Sequence, residues 1–233
     1  MRFLFAGLIA LLSTSAVRGQ ENLEILKPTG GKPLSDIPSY FIGYNIGGSL
    51  AGEHLEAGDL NREDFLRGVF DALDRKDLVP NRAELEKAMQ EFGQKIQARY
   101  TQKMAKNLEA SNKFLEKNKQ EEGVQVTQSG LQYKVIKSGD GATPLASSQV
   151  TVHYEGKLLN GTVFDSSIRK GQPATLGLSQ VIPGWTEALQ RMKVGDKWMI
   201  YIPPGLAYGE AGRPGTIGPN EVLIFEIELL EVQ

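Results

Sequence analysis

The sequence of 233 residues contains no cysteine. This excludes disulfides, thiol nucleophiles, thiolate metal sites and a lipid-modified cysteine. Histidine is nearly absent, with His54 and His153 far apart. That disfavours a histidine-rich metal site, and a catalytic triad unless a single histidine serves. A dominant sign of charge is also missing. Lys+Arg number 26 and Asp+Glu 28, a net charge of −2, which argues against nucleic-acid binding through a basic patch over the whole molecule. There is no Gly-x-Ser-x-Gly elbow, no P-loop and no His-Glu-x-x-His. Nothing calls for a metal, a nucleotide or an organic cofactor. What is present, 40% hydrophobic and 23% charged residues, fits a soluble protein of one or two domains with a real core.

The first residues read as an address. Met1-Arg2 precedes the apolar run Phe3-Leu4-Phe5-Ala6-Gly7-Leu8-Ile9-Ala10-Leu11-Leu12, and small or polar residues follow to Gly19. The run is roughly 10 residues against the ~20 that span a bilayer. A secretory signal peptide over 1–19 is expected, cut after Gly19 or after Ala16. A buried N-terminal helix or a membrane anchor is the alternative. Removing 1–19 takes away Arg2 and Arg18 and leaves 24 basic against 28 acidic residues, a net charge of −4. The mature chain is then exported to the periplasm, or to the outer membrane or cell surface, with no membrane span of its own. Without cysteine, ordinary cores must hold it.

Residues 20–37, with Pro28, Gly30, Gly31 and Pro33, read as a flexible leader. From Ser39 the pattern turns helical. Tyr40, Phe41, Tyr44, Ile46, Leu50 and Leu55 are interleaved with Gly43, Gly47, Gly48 and Gly52. Glycine in a helix costs roughly 1 kcal/mol relative to alanine, so several together suggest close backbone approach to another helix. A glycine-rich loop is the alternative. A phosphate loop is a poorer one, because no strand precedes these glycines and no Gly-Lys-Ser/Thr follows. A second helix starts at Asn61-Arg62-Glu63-Asp64, with Phe65, Leu66, Val69, Phe70 and Leu73 on one face. After a turn over 74–80, Asn81 is a plausible N-cap for a third pattern reaching about residue 122. About 40 residues make a rod of roughly 60 Å. Its second half is so polar that a solvated connector is expected, stopped by Gly123. Helices that bury so little alone suggest self-association, or else a small cap on the other domain.

From Val124 the period becomes two. Leu131, Tyr133 and Val135 alternate with polar residues. Val150, Val152, Tyr154, Gly156 and Leu158 do so too, as do Leu223, Phe225, Ile227 and Leu229. These predict antiparallel strands with one solvated face, and Asn160-Gly161 predicts a hairpin turn. A short helix is predicted over 184–192 with Trp185, Ala188, Leu189 and Met192 inward. Within this domain Asp165 reads as a structural carboxylate on composition alone. Tyr154, Phe164, Val181, Ile182, Trp185, Tyr208 and Phe225 could simply be core.

A resemblance changes that balance. Val152-His153-Tyr154-Glu155-Gly156, Phe164-Asp165-Ser166-Ser167, Val181-Ile182-Pro183-Gly184-Trp185, Ala207-Tyr208-Gly209 and the closing Leu223-Ile224-Phe225-Glu226-Ile227-Glu228-Leu229-Leu230 occur in the order and spacing of an FKBP-type peptidyl-prolyl isomerase domain. The resemblance covers 124–233. Upstream, Ser39-Tyr40-Phe41-Ile42-Gly43-Tyr44-Asn45-Ile46-Gly47 resembles the N-terminal domain of the Mip-like (macrophage infectivity potentiator) branch. The resemblance implies an α+β protein. A helical dimerisation domain (38–82) and a long connecting helix (83–122) would precede an FKBP-type domain (123–233), an antiparallel sheet wrapped on one short helix. It further implies a homodimer through the N-terminal helices, acting on proline-containing unfolded or partly folded polypeptides, with macrolides as potential inhibitors.

By the same resemblance Trp185 floors a proline pocket, and Tyr154, Phe164, Val181, Ile182 and Phe225 wall it. Tyr208 would donate its hydroxyl to a substrate carbonyl, Asp165 would lie beside the reacting amide, and Ile217, in the loop 212–219, would form part of the rim. The sequence departs from the family at Ala174, where an aromatic residue is frequent. Lys170 stands where an arginine often pairs with the aspartate, with Arg169 adjacent. Arg213 replaces a common histidine, and Thr216 an apolar rim residue. A dimeric client-binding chaperone with incidental turnover is the alternative function.

Overall fold

The computed structural model describes residues 34–233. The expected signal peptide, and all but the end of the expected leader, lie outside the described residues. Residues up to Phe41 and residues 42–233 form two units. The described part of the first is the run into helix α1 (Ile37–Gly52), where the Ser39 hydroxyl donates to the Asp36 carboxylate.

The glycine-rich stretch is thus helical rather than a loop. A Cβ placed on Gly43, Gly47, Gly48 or Gly52 would meet nothing within 4 Å, so no helix among the described residues packs against them. Helix α2 (Arg62–Leu73) begins where the Asn61 side chain accepts the amides of Glu63 and Asp64, at 3.0 and 3.1 Å. Helix α3 (Arg82–Asn118) starts with a capping box between Asn81 and Glu84, which satisfies two otherwise orphaned amides. At 37 residues it is about 55 Å long. It stops just short of the expected end, and Gly123 follows at φ +80.

The second half of α3 is not a solvated connector. Ser111 and Asn118 are buried, the Asn118 amide donates to Gln132 Oε1 at 2.8 Å, and the Gln132 amide donates to the Leu115 carbonyl at 2.9 Å. Short polar side chains here are fasteners to the sheet, which is why apolar periodicity fades without the helix leaving the domain.

The sheet has seven antiparallel strands: β1 (Val124–Val126), β2 (Gln132–Lys137), β3 (Gln149–Lys157), β4 (Val163–Ser166), β5 (Ala174–Gly177), β6 (Lys197–Ile202) and β7 (Leu223–Val232). Their order is β1-β2-β6-β7-β3-β4, with β5 also on β3. Period-two alternation puts Val150, Val152, Ile200, Ile202, Ile227 and Leu229 on the inner face, where each is fully buried. Each such side chain contributes roughly 1.5–3 kcal/mol relative to exposure. They pack with Trp185, Ala188 and Leu189 of helix α4 (Pro183–Leu189), which Pro183 opens at its first turn and which ends before the predicted residue 192, and with Met192 in the turn beyond it. Gly184 is required there, because a Cβ would collide with Ile202 Cγ2. The turn at Asn160-Gly161 is present, with Gly161 at φ +83 and Thr162 N donating to Asn160 Oδ1 at 2.9 Å.

Candidate active site

One cavity of about 380 Å³ opens where β3, β4, β7 and α4 meet the loop after β6. Trp185 lies at the N-terminus of α4, 4% exposed. Two rings stand on edge to it, and a third stands on edge to one of these. Tyr154 meets Trp185 at 5.1 Å and 86°, Phe225 meets Trp185 at 5.2 Å and 84°, and Phe164 meets Phe225 at 5.4 Å and 88°. Edge-to-face contacts of this kind add about 0.5–1.5 kcal/mol each beyond area and leave the rings little freedom. Gly156 is what lets them close. A Cβ on it would come within 2.5 Å of Phe225 Cε1 and 2.8 Å of Phe164 Cζ.

The polar groups are few. Asp165 Oδ2 accepts the Tyr154 hydroxyl at 2.7 Å, while Oδ1 accepts Lys170 Nζ at 2.6 Å and the Ser166 amide at 3.0 Å. Burial pushes the Asp165 carboxyl up, but the bonds from Lys170 and Tyr154 outweigh it and hold the group below its ordinary value. Burial, and then the bond to Asp165, push the Tyr154 hydroxyl far above the ordinary tyrosine value. Tyr154 therefore stays protonated and committed to the carboxylate. The Tyr208 hydroxyl lines the same cavity and has no hydrogen-bond partner among the described residues. Arg169 pairs with Glu155 at 3.5 Å rather than with Asp165.

The structure brings together eight residues singled out in the sequence: Tyr154, Phe164, Asp165, Val181, Ile182, Trp185, Tyr208 and Phe225. Ile217 is apart from them. It is 4% exposed, packed in the core, and lines a neighbouring cleft of about 410 Å³ with Thr216, Tyr100 and Lys103. Leu176, Gln180 and Arg213 complete the cavity wall. Leu176 comes from β5 paired to β3, a neighbour that spacing along the chain does not reveal. Arg213 arrives on a tight turn in which its backbone exchanges two 2.8 Å bonds with Ile217.

The cavity can hold a small apolar ring on its indole floor and offer one free hydroxyl, one screened carboxylate and one cation at its mouth. Among the described residues no cluster of His, Asp or Glu is placed to hold a metal ion.

Residues 141–230 match the family described as FKBP-type peptidyl-prolyl cis-trans isomerase, and residues 35–135 match the domain described as amino terminal to it. The chain is 45% identical over 206 residues to the peptidyl-prolyl cis-trans isomerase Mip of Coxiella burnetii, covering 87% of this chain and 88% of that one. It is 38% identical over 229 residues to the outer membrane protein MIP of Legionella longbeachae, covering 95% and 97%. The crystal structure of FkpA from Escherichia coli superposes with a TM-score of 0.61 at 35% identity, over 84% of this chain and 95% of that one.

Proposed function

The chain belongs to the FKBP-type peptidyl-prolyl cis-trans isomerase family and is an enzyme of that activity, and we propose that turnover takes place over Trp185, by stabilising a twisted X–Pro amide without a covalent intermediate. The barrier to rotation is ~18–20 kcal/mol because of amide resonance. The planar amide is the charge-separated form, and the twisted one is less polar. A water-poor aromatic cavity therefore favours the twisted state, which is differential transition-state binding. Proline stacks on Trp185 between Phe225 and Tyr154. Val181 and Ile182 hold the chain beside it. The Tyr208 hydroxyl donates to a substrate carbonyl. Asp165, kept ionised by Lys170 and Tyr154, faces the reacting amide and orients it.

The observation that carries this reading is the division of labour between the two tyrosines. Tyr154 spends its hydroxyl on Asp165, and Tyr208 keeps its own for a ligand. The test is cis-to-trans acceleration on a series of short X–Pro peptides by the full chain and by Tyr208→Phe/Asp165→Asn. The double variant should lose most of the acceleration. Full turnover in it would overturn the assignment.

A second reading concerns what the helices add. On α2, Leu66, Phe70 and Leu73 lie at helical spacing and are exposed, and on α1 the glycine positions face open space. A soluble chain seldom leaves such a surface uncovered. We infer that a second copy covers it, giving a homodimer whose two catalytic domains hold one client by avidity. Light scattering should report a dimer at micromolar concentration, and Leu66→Glu/Phe70→Glu should return a monomer. The resemblance to a protein named for the outer membrane and the apolar run at residues 3–12 support an exported enzyme of the cell envelope that assists folding there. No helix among the described residues is long and apolar enough to cross a membrane.

A further inference from the structure

One face of α3 is laid along the loop that follows β6. Tyr100, Met104, Asn107 and Ser111 are spaced by four, three and four, so they share that face. Each is bonded to the segment 209–222. The Tyr100 hydroxyl donates to the Glu210 carbonyl at 2.7 Å. The Asn107 amide donates to the Pro219 carbonyl at 2.8 Å and to Glu221 Oε1 at 3.4 Å. The Ser111 hydroxyl donates to the Asn220 carbonyl at 2.8 Å and accepts the Val222 amide at 2.9 Å. The Asn220 side chain returns a bond to the Met104 carbonyl at 3.5 Å.

The segment needs this support. It carries no strand before β7, and its own closures are tight turns at Tyr208–Gly212 and Arg213–Ile217 and one longer bond, from Asn220 N to the Gly209 carbonyl at 2.8 Å. Asn220 makes that closure in the left-handed region, at φ 53, a conformation unfavourable for a side-chain-bearing residue unless its surroundings impose it. Ser111, 1% exposed, bonds both the carbonyl of Asn220 and the amide two residues on. The segment starts beside Tyr208 and contains Arg213, and both line the catalytic cavity.

We propose that this face of α3 is a splint that fixes the active-site loop, with Tyr100, Asn107 and Ser111 as positioning residues for the isomerase reaction. The proposal rests on the assignment of the Tyr208 cavity as the catalytic site. The long helix then belongs to the enzyme through its second half, and it sets how often the cavity is ready to receive an X–Pro segment. A loop released from the splint is competent for only a fraction of the time. Apparent affinity falls by that fraction, while saturating substrate draws the loop back into place.

The experiment measures KM and kcat on a short X–Pro peptide for the full chain, for Tyr100→Phe, for Tyr100→Phe/Asn107→Ala and for a control, Lys113→Ala, on the exposed face of α3. Amide hydrogen exchange is followed over 209–222, and thermal melting alongside. The double variant should raise KM roughly tenfold with kcat within about twofold, exchange faster over 209–222 only, and melt as the parent does. Should the double variant melt early, Tyr100→Phe decides, because it removes one exposed bond and nothing else; it should raise KM by a smaller factor. Parental KM, or a fall in kcat at constant KM, overturns the splint. Failure of the underlying assignment is a separate result, namely full turnover in Tyr208→Phe/Asp165→Asn.

Discussion

The Tyr154 hydroxyl donates to Asp165 Oδ2 at 2.7 Å, joining the middle of β3 to β4 at the edge of the catalytic cavity. The bond aims the carboxylate and keeps the phenol protonated. Tyr154→Phe should cost about 1.5–3 kcal/mol of stability, as for a hydrogen bond to a charged group, and should lower kcat/KM by releasing one carboxylate oxygen. Urea unfolding and the peptide assay measure the two effects separately. Unchanged turnover would show the bond to be structural alone.

Lys170 should set the pH range of the enzyme. Its bond to Asp165, with that of Tyr154, holds the carboxyl below its ordinary value against the opposing effect of burial. A depressed folded value means that the carboxylate's contribution to stability is present above the unfolded value, near pH 4. It is lost as pH falls through the folded value. Lys170→Met leaves burial opposed only by Tyr154 and Ser166, so the carboxyl should rise. The acid limb of the kcat/KM profile should then move to higher pH. A limb that stays put would show that Lys170 does not control the charge.

Arg213 should bias the choice of substrate. It lines the cavity, is exposed, and makes no ion pair among the described residues. Asp165 is already matched by Lys170, so the mouth carries an excess positive charge. Peptides with Glu before proline should be turned over faster than those with Lys, by roughly two- to fivefold, the size of an exposed ion pair. The preference should shrink in high salt and reverse in Arg213→Glu. Equal rates for the two peptides would remove Arg213 from the account of specificity.

Gly156→Ala should damage the cavity from behind. The added methyl would sit 2.5 Å from Phe225 Cε1 and 2.8 Å from Phe164 Cζ, and rings held edge to face cannot both retreat. Overpacking of this kind costs about 1–3 kcal/mol. The urea midpoint should fall at constant slope, with a loss of peptide affinity. Parental behaviour would mean that the two rings can shift together.

The residues that could be read from the sequence are those whose signal is local. The alternation through Val150, Val152 and Tyr154, the Asn160-Gly161 turn and the apolar face at Trp185, Ala188, Leu189 and Met192 all survive in the fold. The motifs around Tyr154, Asp165, Trp185, Tyr208 and Phe225 converge on one cavity. What escaped was non-local or disguised by polarity. Ile217 looks like a rim residue by its neighbours in sequence, yet the 211–219 turn directs it into the core. Asn107, Ser111 and Asn118 look like a solvated helix face because hydrogen bonding, of the first two to a distant loop and of the third to β2, leaves no periodic trace. The resemblance places Lys170 at the position that pairs with Asp165, and that pair forms, whereas only the geometry of β3 and β4 shows that the adjacent Arg169 serves Glu155.

The aromatic floor has a practical side. The chain has two tryptophans. Trp185 forms the base of the cavity, while Trp198 is buried elsewhere, stacked on Tyr133 at 4.4 Å and 9°. An occupant of the cavity changes the polarity around one indole and leaves the other alone. The protein thus carries its own optical probe of occupancy together with an internal reference. Binding of a non-reacting X–Pro analogue or a macrolide can be titrated by intrinsic emission without a label, and Trp198→Phe would leave a signal that comes from the floor alone.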